Sequence, residues 1–212
     1  MKSFKLLTLL LLINHLAISQ IKTTFKEGVY TKIENLKSNS PDYQYNFIVT
    51  KKDSTKIKSN GGNLYELTTD SDTIKKKFIR KELFSYVKND SVFINGLPLG
   101  ISTDYCLALT TGTFIVFEGS MTNELQNQKV MPAAIMFGAI GAAVATTKVN
   151  KESYTYILSL NTGNVRYLTS EYVEARLAKH VFLLNDYLTE PHKDATHIMI
   201  KYIQLLNEEL SN

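Results

Sequence analysis

Apolar and polar residues alternate with a period of two through the first half of the chain. From residue 43 to residue 49 the odd positions are Tyr, Tyr, Phe and Val, and the positions between them are mostly polar. This spacing is typical of a strand that buries one face. A shorter strand is predicted over residues 64–67. Three further pairs of runs flank polar or glycine-containing turns and predict hairpins: residues 82–87 with 91–95, 104–110 with 113–118, and 153–160 with 165–168.

A short helix is predicted before these strands. Thr31 and Glu34 have the spacing of a capping box, in which each side chain satisfies a backbone N–H of the other residue. This spacing predicts a helix over residues 32–37, ended by Asn39 and Pro41.

The C-terminal part of the chain has the period of amphipathic helices. Thr169 is in position to cap a helix that begins near Ser170, with Leu168 and Val173 at the two positions of a hydrophobic staple. Pro191 separates this helix from a last one over residues 194–210. The predicted apolar faces are Val173, Leu177, Leu184 and Leu188 in the first helix, and Met199, Ile203, Leu206 and Leu210 in the second.

These elements together predict an α+β fold. We expect an antiparallel sheet of about six to eight strands built from hairpins, with a short N-terminal helix and two C-terminal amphipathic helices.

The beginning of the chain has the three parts of a secretory signal peptide. Two lysines precede a mostly apolar run over residues 6–12, and Ala17 and Ser19 are the small residues before a cleavage site at Gln20. A retained membrane anchor is the alternative, but the run is shorter than the roughly 20 residues of a spanning helix. We expect residues 1–19 to be removed and residues 20–212 to form a single α+β domain, periplasmic or secreted.

The overall charge argues against a nucleic-acid partner. The formal charge is +4, and two of the lysines lie in the predicted signal peptide, so the mature chain is near +2. Such a small charge gives no reason to expect attraction to nucleic acid. The densest positive run is interpreted as a solvated edge strand or loop, with an anion-binding role as the alternative. We call this run the basic cluster: Lys75, Lys76, Lys77, Arg80 and Lys81.

The side chains that catalyse reactions or bind metals are scattered. Cys106, the single cysteine, lies among apolar residues and predicts a buried, inert thiol. His192 and His197 are five residues apart, which is not the usual spacing of a helical zinc pair. The two histidines are interpreted as solvated helix-end residues, and Glu66, Asp70 and Asp72 as loop residues. A deep polar cleft that contains His180 would favour an enzyme. We therefore predict no catalytic residue, no metal site and no cofactor.

The most unusual stretch is uniformly apolar or small. Residues 130–145 contain no polar side chain, and Ala134, Gly138 and Ala142 recur every four residues, with Gly141, Ala145 and Phe137 close to them in the sequence. Small residues at this spacing allow helices to approach closely, above all in membranes. Three interpretations stay open for this segment: a helix or hairpin buried against the sheet, insertion into a membrane, and self-association.

Several short motifs resemble those of small exported proteins of unknown function from Bacteroidota. The matching residues are 28–30, 81–86, 92–95, 168–172 and 202–207, while Leu83 and Ser170 depart from the pattern. The resemblance implies an exported α+β protein and brings no activity with it.

The function predicted from the sequence is that of an exported, non-catalytic envelope protein, structural or partner-binding. Its partner is unknown; an envelope protein or the membrane fits, and nucleic acid does not. Two alternatives remain: a membrane-associated protein acting through residues 130–145, and a hydrolase whose site the sequence does not reveal.

Overall fold

The computed structural model describes residues 25–52, 64–119 and 153–211. The strands in these ranges are β1 (Gly28–Tyr30), β2 (Ile48–Lys51), β3 (Leu64–Thr68), β4 (Ser85–Lys88), β5 (Ser91–Asn95), β6 (Tyr105–Leu107), β7 (Phe114–Gly119), β8 (Tyr154–Ser159) and β9 (Val165–Tyr167). The helices are α1 (Ile33–Lys37), the π-helical α2 (Phe78–Glu82), α3 (Ser170–Leu177), α4 (Val181–Thr189) and α5 (Thr196–Ser211). The predicted mixed α+β class is confirmed.

Six strands form one curled antiparallel sheet in the order β1-β4-β5-β6-β3-β2. Tyr43 forms an antiparallel bridge with Val29 at one edge of this sheet. A few residues later, β2 forms the other edge by pairing with β3. Residues 43–47, which we call the closing segment, therefore lead from one edge to the other. The strand predicted over residues 43–49 is wrong in its first part, because those residues belong to this connection.

A second antiparallel sheet contains β7, β8 and β9. The hairpin predicted within residues 153–168 is confirmed as β8 and β9, and the one within residues 82–95 as β4 and β5. Asn89 and Asp90 make the turn between β4 and β5 with positive φ angles of 48° and 57°. These two residue types tolerate the left-handed backbone that a tight hairpin turn requires.

The hairpin predicted from residues 104–110 and 113–118 is wrong. β6 pairs with β3 and β5 in the large sheet, whereas β7 pairs with β8 in the small one. A single bridge between Ala108 and Phe117 joins them. The chain passes here from one sheet to the other, since β3 and β5 precede β6 in the sequence and β8 follows β7.

The buried apolar residues of the described ranges form three cores. One fills the space between the two sheets and contains Ile94, Cys106 and Phe117. The second joins the small sheet to the C-terminal helices. The third lies on the opposite face of the large sheet and contains Phe93 and Tyr105. Because successive residues of a strand point to opposite faces, Phe93 and Ile94 serve different cores.

Three helices, rather than the predicted two, follow the small sheet. Thr169 caps α3 as predicted, with its hydroxyl accepting a hydrogen bond from the Tyr172 N–H at 3.2 Å. The first predicted helix divides after Leu177, and the His180 N–H bonds back to the Leu177 carbonyl at 2.7 Å. The predicted apolar face is therefore interrupted, and Leu188 is 47% exposed.

The last helix, α5, agrees closely with its prediction. Met199, Ile203 and Leu206 are buried on one face. Leu210, predicted on the same face, is 46% exposed at the end of the helix.

The short N-terminal helix forms without the predicted capping box. No side chain caps the N-terminus of α1. Thr31 instead donates from its backbone N–H and its hydroxyl to the Asp42 carboxylate, at 2.7 and 2.9 Å. Asn35 donates to the other carboxylate oxygen at 2.6 Å. The Asp42 carboxylate thus replaces Glu34 as the partner of Thr31, because an ionised acceptor makes the stronger hydrogen bond.

Candidate functional site

An open groove of about 400 Å³ lies where the closing segment meets α2 and the residues before it. Its walls combine aromatic rings, two lysines and a few small or polar side chains. We call it the aromatic groove, and it is lined by Tyr43, Tyr45, Thr73, Ile74, Lys75, Lys77, Phe78 and Glu82.

The floor of the aromatic groove is a pair of stacked tyrosines. The rings of Tyr43 and Tyr45 have centroids 5.0 Å apart and planes only 2° from parallel. They share one side of the chain because residues two apart in extended backbone point the same way. Phe78 meets both rings edge-on, with centroids at 5.8 Å from Tyr43 and 6.2 Å from Tyr45. Tyr43 is nevertheless 43% exposed, so part of its ring is open to a ligand.

The closing segment is fixed to the curled sheet beneath it. Phe47 is buried and packs edge-on against Tyr86 at 5.2 Å. The Tyr86 hydroxyl accepts a hydrogen bond from the Phe47 N–H at 3.1 Å, and burial raises the pKa of this phenol. Lys88 donates to the Phe47 carbonyl at 3.1 Å and to the Asn46 side chain at 2.6 Å. The floor is therefore held in place before any ligand arrives.

The opposite wall, α2, is also anchored in the core. Ile79 and Leu83 are buried under the large sheet. The buried side chain of Asn95 donates to the carbonyls of Arg80 at 3.0 Å and Leu83 at 2.6 Å. The Tyr105 hydroxyl donates to the Ile79 carbonyl. These bonds satisfy carbonyls that a short π-helical segment leaves without partners of its own.

The basic cluster lies on and just before α2. Its five side chains are all exposed, as predicted, but the edge strand or loop predicted for them is wrong. In the observed helical conformation, Ile79 and Leu83 lie four residues apart on one side and are buried in the core. Residues 75–82 contain five cations and the single carboxylate Glu82, a formal charge of +4. No ion pair joins these cations to a carboxylate among the residues that the structure describes.

The other predicted candidates do not come together around the aromatic groove. Cys106 is buried as predicted, and burial together with the nearby Asp104 raises the pKa of its thiol to about 12. His180 contacts Glu209 at 2.8 Å on the far helical layer. Within the three described ranges, no group of three or more His, Cys, Asp or Glu side chains could hold a metal ion. Glu66, Asp70 and Asp72 are exposed.

The candidate membrane or self-association residues lie outside the described ranges. These residues are Ala134, Phe137, Gly138, Gly141, Ala142 and Ala145, and the predicted cleavage pair Ser19 and Gln20 lies outside as well. In the part of the chain that the structure describes, no helix is both long enough and apolar enough to cross a membrane.

The aromatic groove was not predicted as a site. The alternation of Tyr43 and Tyr45 places both rings on one side of the chain, but this pattern predicts the buried face of a strand rather than a binding site. Phe78 and the lysines of the opposite wall are about thirty residues further along the chain, and no local pattern links them to the tyrosines.

The described residues thus define an α+β protein with two sheets, three C-terminal helices and an aromatic groove at one side of the curled sheet. A protein-family model described as a family of unknown function, DUF6563, matches residues 28–210. The chain belongs to this family. No curated protein and no solved structure matches the chain.

Proposed function

We propose that this protein is an exported binding protein of the cell envelope and that its aromatic groove binds an acidic ligand. The observation that carries the proposal is the meeting of an exposed, stacked tyrosine pair with the basic cluster at one groove. Aromatic rings supply apolar contact area with few rotatable bonds. Lysines attract carboxylates and other anions, and among the described residues no ion pair engages those of the basic cluster; with Glu82 included, residues 75–82 keep a formal charge of +4.

The rigidity of both walls supports binding. Preformed sites lose less conformational entropy when a ligand arrives. The closing segment is tied to Tyr86 and Lys88, and α2 is tied to Asn95 and Tyr105. The groove lining consists of groups that recognise a ligand through stacking, charge and hydrogen bonds.

Export is supported by the two lysines, the apolar run and the small residues that precede Gln20. Mass spectrometry of the protein recovered from culture fractions tests this part. We expect a mature form of residues 20–212 in the periplasmic or extracellular fraction. An uncleaved chain confined to the cytoplasm would contradict it. The Bacteroidota affiliation of the family also remains a prediction.

Binding is tested with benzoate, a flat ring that carries one carboxylate. We expect a weak, saturable titration in which the ring signals of Tyr43 and Tyr45 shift in the NMR spectrum of the ¹³C-tyrosine-labelled mature protein. Benzyl alcohol, which has the same ring without the charge, is the matched control and should bind more weakly. The Lys75→Gln/Lys77→Gln variant should also bind benzoate more weakly, by about three- to tenfold. Benzoate shifts that avoid both tyrosines, or that persist unchanged in this variant, would contradict the groove as the site.

The alternative of membrane association depends on residues 130–145, sixteen positions without a polar side chain. A carbonate wash of membranes tests it. If the mature protein with residues 130–145 deleted partitions as the intact protein does, this segment is not the anchor.

A further inference from the structure

Resting on the proposed function, we infer that the ligand of the aromatic groove is an acidic polysaccharide, bound with a sugar ring against Tyr43 and its carboxylates facing Lys75 and Lys77.

The first argument is the shape of the floor. Tyr43 and Tyr45 stack on each other with planes 2° apart, and Phe78 packs edge-on against both, so the flat surface for a ligand is the face of Tyr43 turned away from Tyr45. The face of an aromatic ring is electrostatically negative. A pyranose ring presents a face of weakly positive C–H groups, which complements such a surface. A flexible aliphatic chain has no corresponding flat face.

The second argument is the distribution of charge. Lys75 and Lys77 line the groove, while the other three cations of the basic cluster are exposed and lie within two positions of lining residues in the sequence. The positive surface therefore extends beyond one groove of about 400 Å³. A polymer with a carboxylate on successive sugars matches this extended surface better than a small, singly charged molecule. Thr73 and Glu82 add a hydroxyl and a carboxylate to the lining, and both groups hydrogen-bond to sugar hydroxyls readily.

The third argument separates a polysaccharide from an acidic peptide. Extended peptides are commonly bound by addition to a free strand edge. The backbone of the closing segment is already engaged at both ends. The Tyr43 carbonyl accepts from the Val29 N–H at 2.8 Å, and the N–H and carbonyl of Phe47 bond to Tyr86 and Lys88. Only three residues lie between these engaged ends, which is a short edge for strand addition, whereas the side chains that line the groove suit a ligand recognised through rings, hydroxyls and carboxylates.

Calorimetric titration of the mature protein with polygalacturonate tests the inference. The matched ligand is the fully methyl-esterified polymer, which keeps the sugar rings and loses the charges. We expect polygalacturonate to bind about tenfold more tightly than the ester, and its affinity to fall as salt is raised, because salt screens exposed charges.

Variants locate the binding. Tyr43→Ala should weaken polygalacturonate binding about tenfold, whereas Tyr43→Phe, which keeps the ring, should bind almost normally. Lys75→Gln/Lys77→Gln should weaken binding by a similar factor. Lys179→Gln changes an exposed lysine of the C-terminal helical layer that does not line the groove, and we expect less than about a twofold effect. Melting temperatures of all variants identify any that fail to fold, and Lys75→Gln/Lys77→Gln keeps the test decisive if Tyr43→Ala does.

The inference would be overturned by equal binding of the charged and esterified polymers, by an effect of Lys179→Gln as large as that of the double variant, or by no binding of polygalacturonate. If benzoate still shifts Tyr43 and Tyr45 while polygalacturonate does not bind, the proposed binding function stands and the polysaccharide assignment fails. If neither probe engages the tyrosines, both proposals fail. An acidic peptide such as polyglutamate that binds more tightly than polygalacturonate would also overturn it.

Discussion

Asn207 in the last helix forms two hydrogen bonds with the backbone of Phe114, which lies 93 residues earlier in the chain. Its side-chain oxygen accepts from the Phe114 N–H at 2.8 Å, and its side-chain nitrogen donates to the Phe114 carbonyl at 2.7 Å. Asn207 is buried. One amide side chain therefore substitutes for a neighbouring strand at the beginning of β7 and attaches the helical layer to the small sheet.

Replacing Asn207 with Ala should destabilise the protein by about 2 kcal/mol, because the buried Phe114 N–H loses its partner and the Phe114 carbonyl keeps only the Thr110 hydroxyl at 3.2 Å. Urea unfolding measures the change. Glu208→Ala, one position along the same helix and exposed, is the control and should stay within about 0.5 kcal/mol of the natural protein. A loss below about 1 kcal/mol for Asn207→Ala would show that water replaces these bonds.

Gly112 should not tolerate a side chain. Its φ is +139°, and an added Cβ would lie 2.7 Å from the Asn207 Cγ atom. We expect Gly112→Ala to cost about 3 kcal/mol through backbone strain and displacement of Asn207. Gly163 is the matched control, since its φ is +71° but the nearest atom to an added Cβ is 3.8 Å away. Gly163→Ala should cost only about 1 kcal/mol in thermal or urea unfolding. Equal costs for the two variants would contradict the contact with Asn207.

The carboxylate of Asp42 should make stability depend on acid pH. Partial burial raises its pKa, but hydrogen bonds from Thr31 and Asn35 and the charge of Lys32 outweigh this, so the pKa of Asp42 is lowered overall. A lowered folded-state pKa stabilises the protein above the unfolded pKa of about 3.9. This contribution is lost as pH falls below that value and through the folded pKa.

Urea unfolding between pH 7 and pH 2 measures the Asp42 contribution. Asp42→Asn should be less stable than the natural protein at pH 7, and the difference should shrink as the pH falls below about 4. Asp70→Asn removes another exposed carboxylate and controls for the change in net charge. A stability difference for Asp42→Asn that is constant over this pH range would contradict the assignment.

Cys106 should be unreactive in the folded protein. The pKa of its thiol is raised to about 12, chiefly by burial, so almost no thiolate exists at neutral pH. Labelling with a thiol reagent such as Ellman's reagent should be slow in buffer and fast in denaturant. The labelling rate should rise with urea in step with unfolding. Rapid labelling of the native protein would show that the core between the two sheets opens easily.

Local patterns predicted those elements whose determinants lie close together in sequence. The turn at Asn89 and Asp90, the Thr169 cap and the buried face of α5 each depend on residues within a few positions of one another. The same patterns failed where a distant partner decides the structure. Asp42 replaced the predicted capping box of α1, and the separate partners of β6 and β7 divided a predicted hairpin between two sheets.

The aromatic groove shows the same limit for function. The sequence contains the residues of both walls: Tyr43 and Tyr45 alternate with polar residues, and a run of lysines forms the other wall. An anion-binding role is one of the two interpretations of those lysines. The curl of the large sheet brings the walls together, and this curl depends on long-range pairing such as Val29 with Tyr43. No spacing rule connects the two walls, so the site could not be assembled from the sequence.

The course of the closing segment has a practical consequence. A ligand that contacts both Tyr43 and α2 joins the closing segment to a helix that is anchored in the core. Such a ligand binds the folded chain alone, so it should raise the melting temperature, by an amount that grows with the logarithm of the ratio of its concentration to its Kd. Thermal shift of the mature protein is therefore a screen for ligands of any chemistry, and loss of the shift in Tyr43→Ala would assign each hit to this groove.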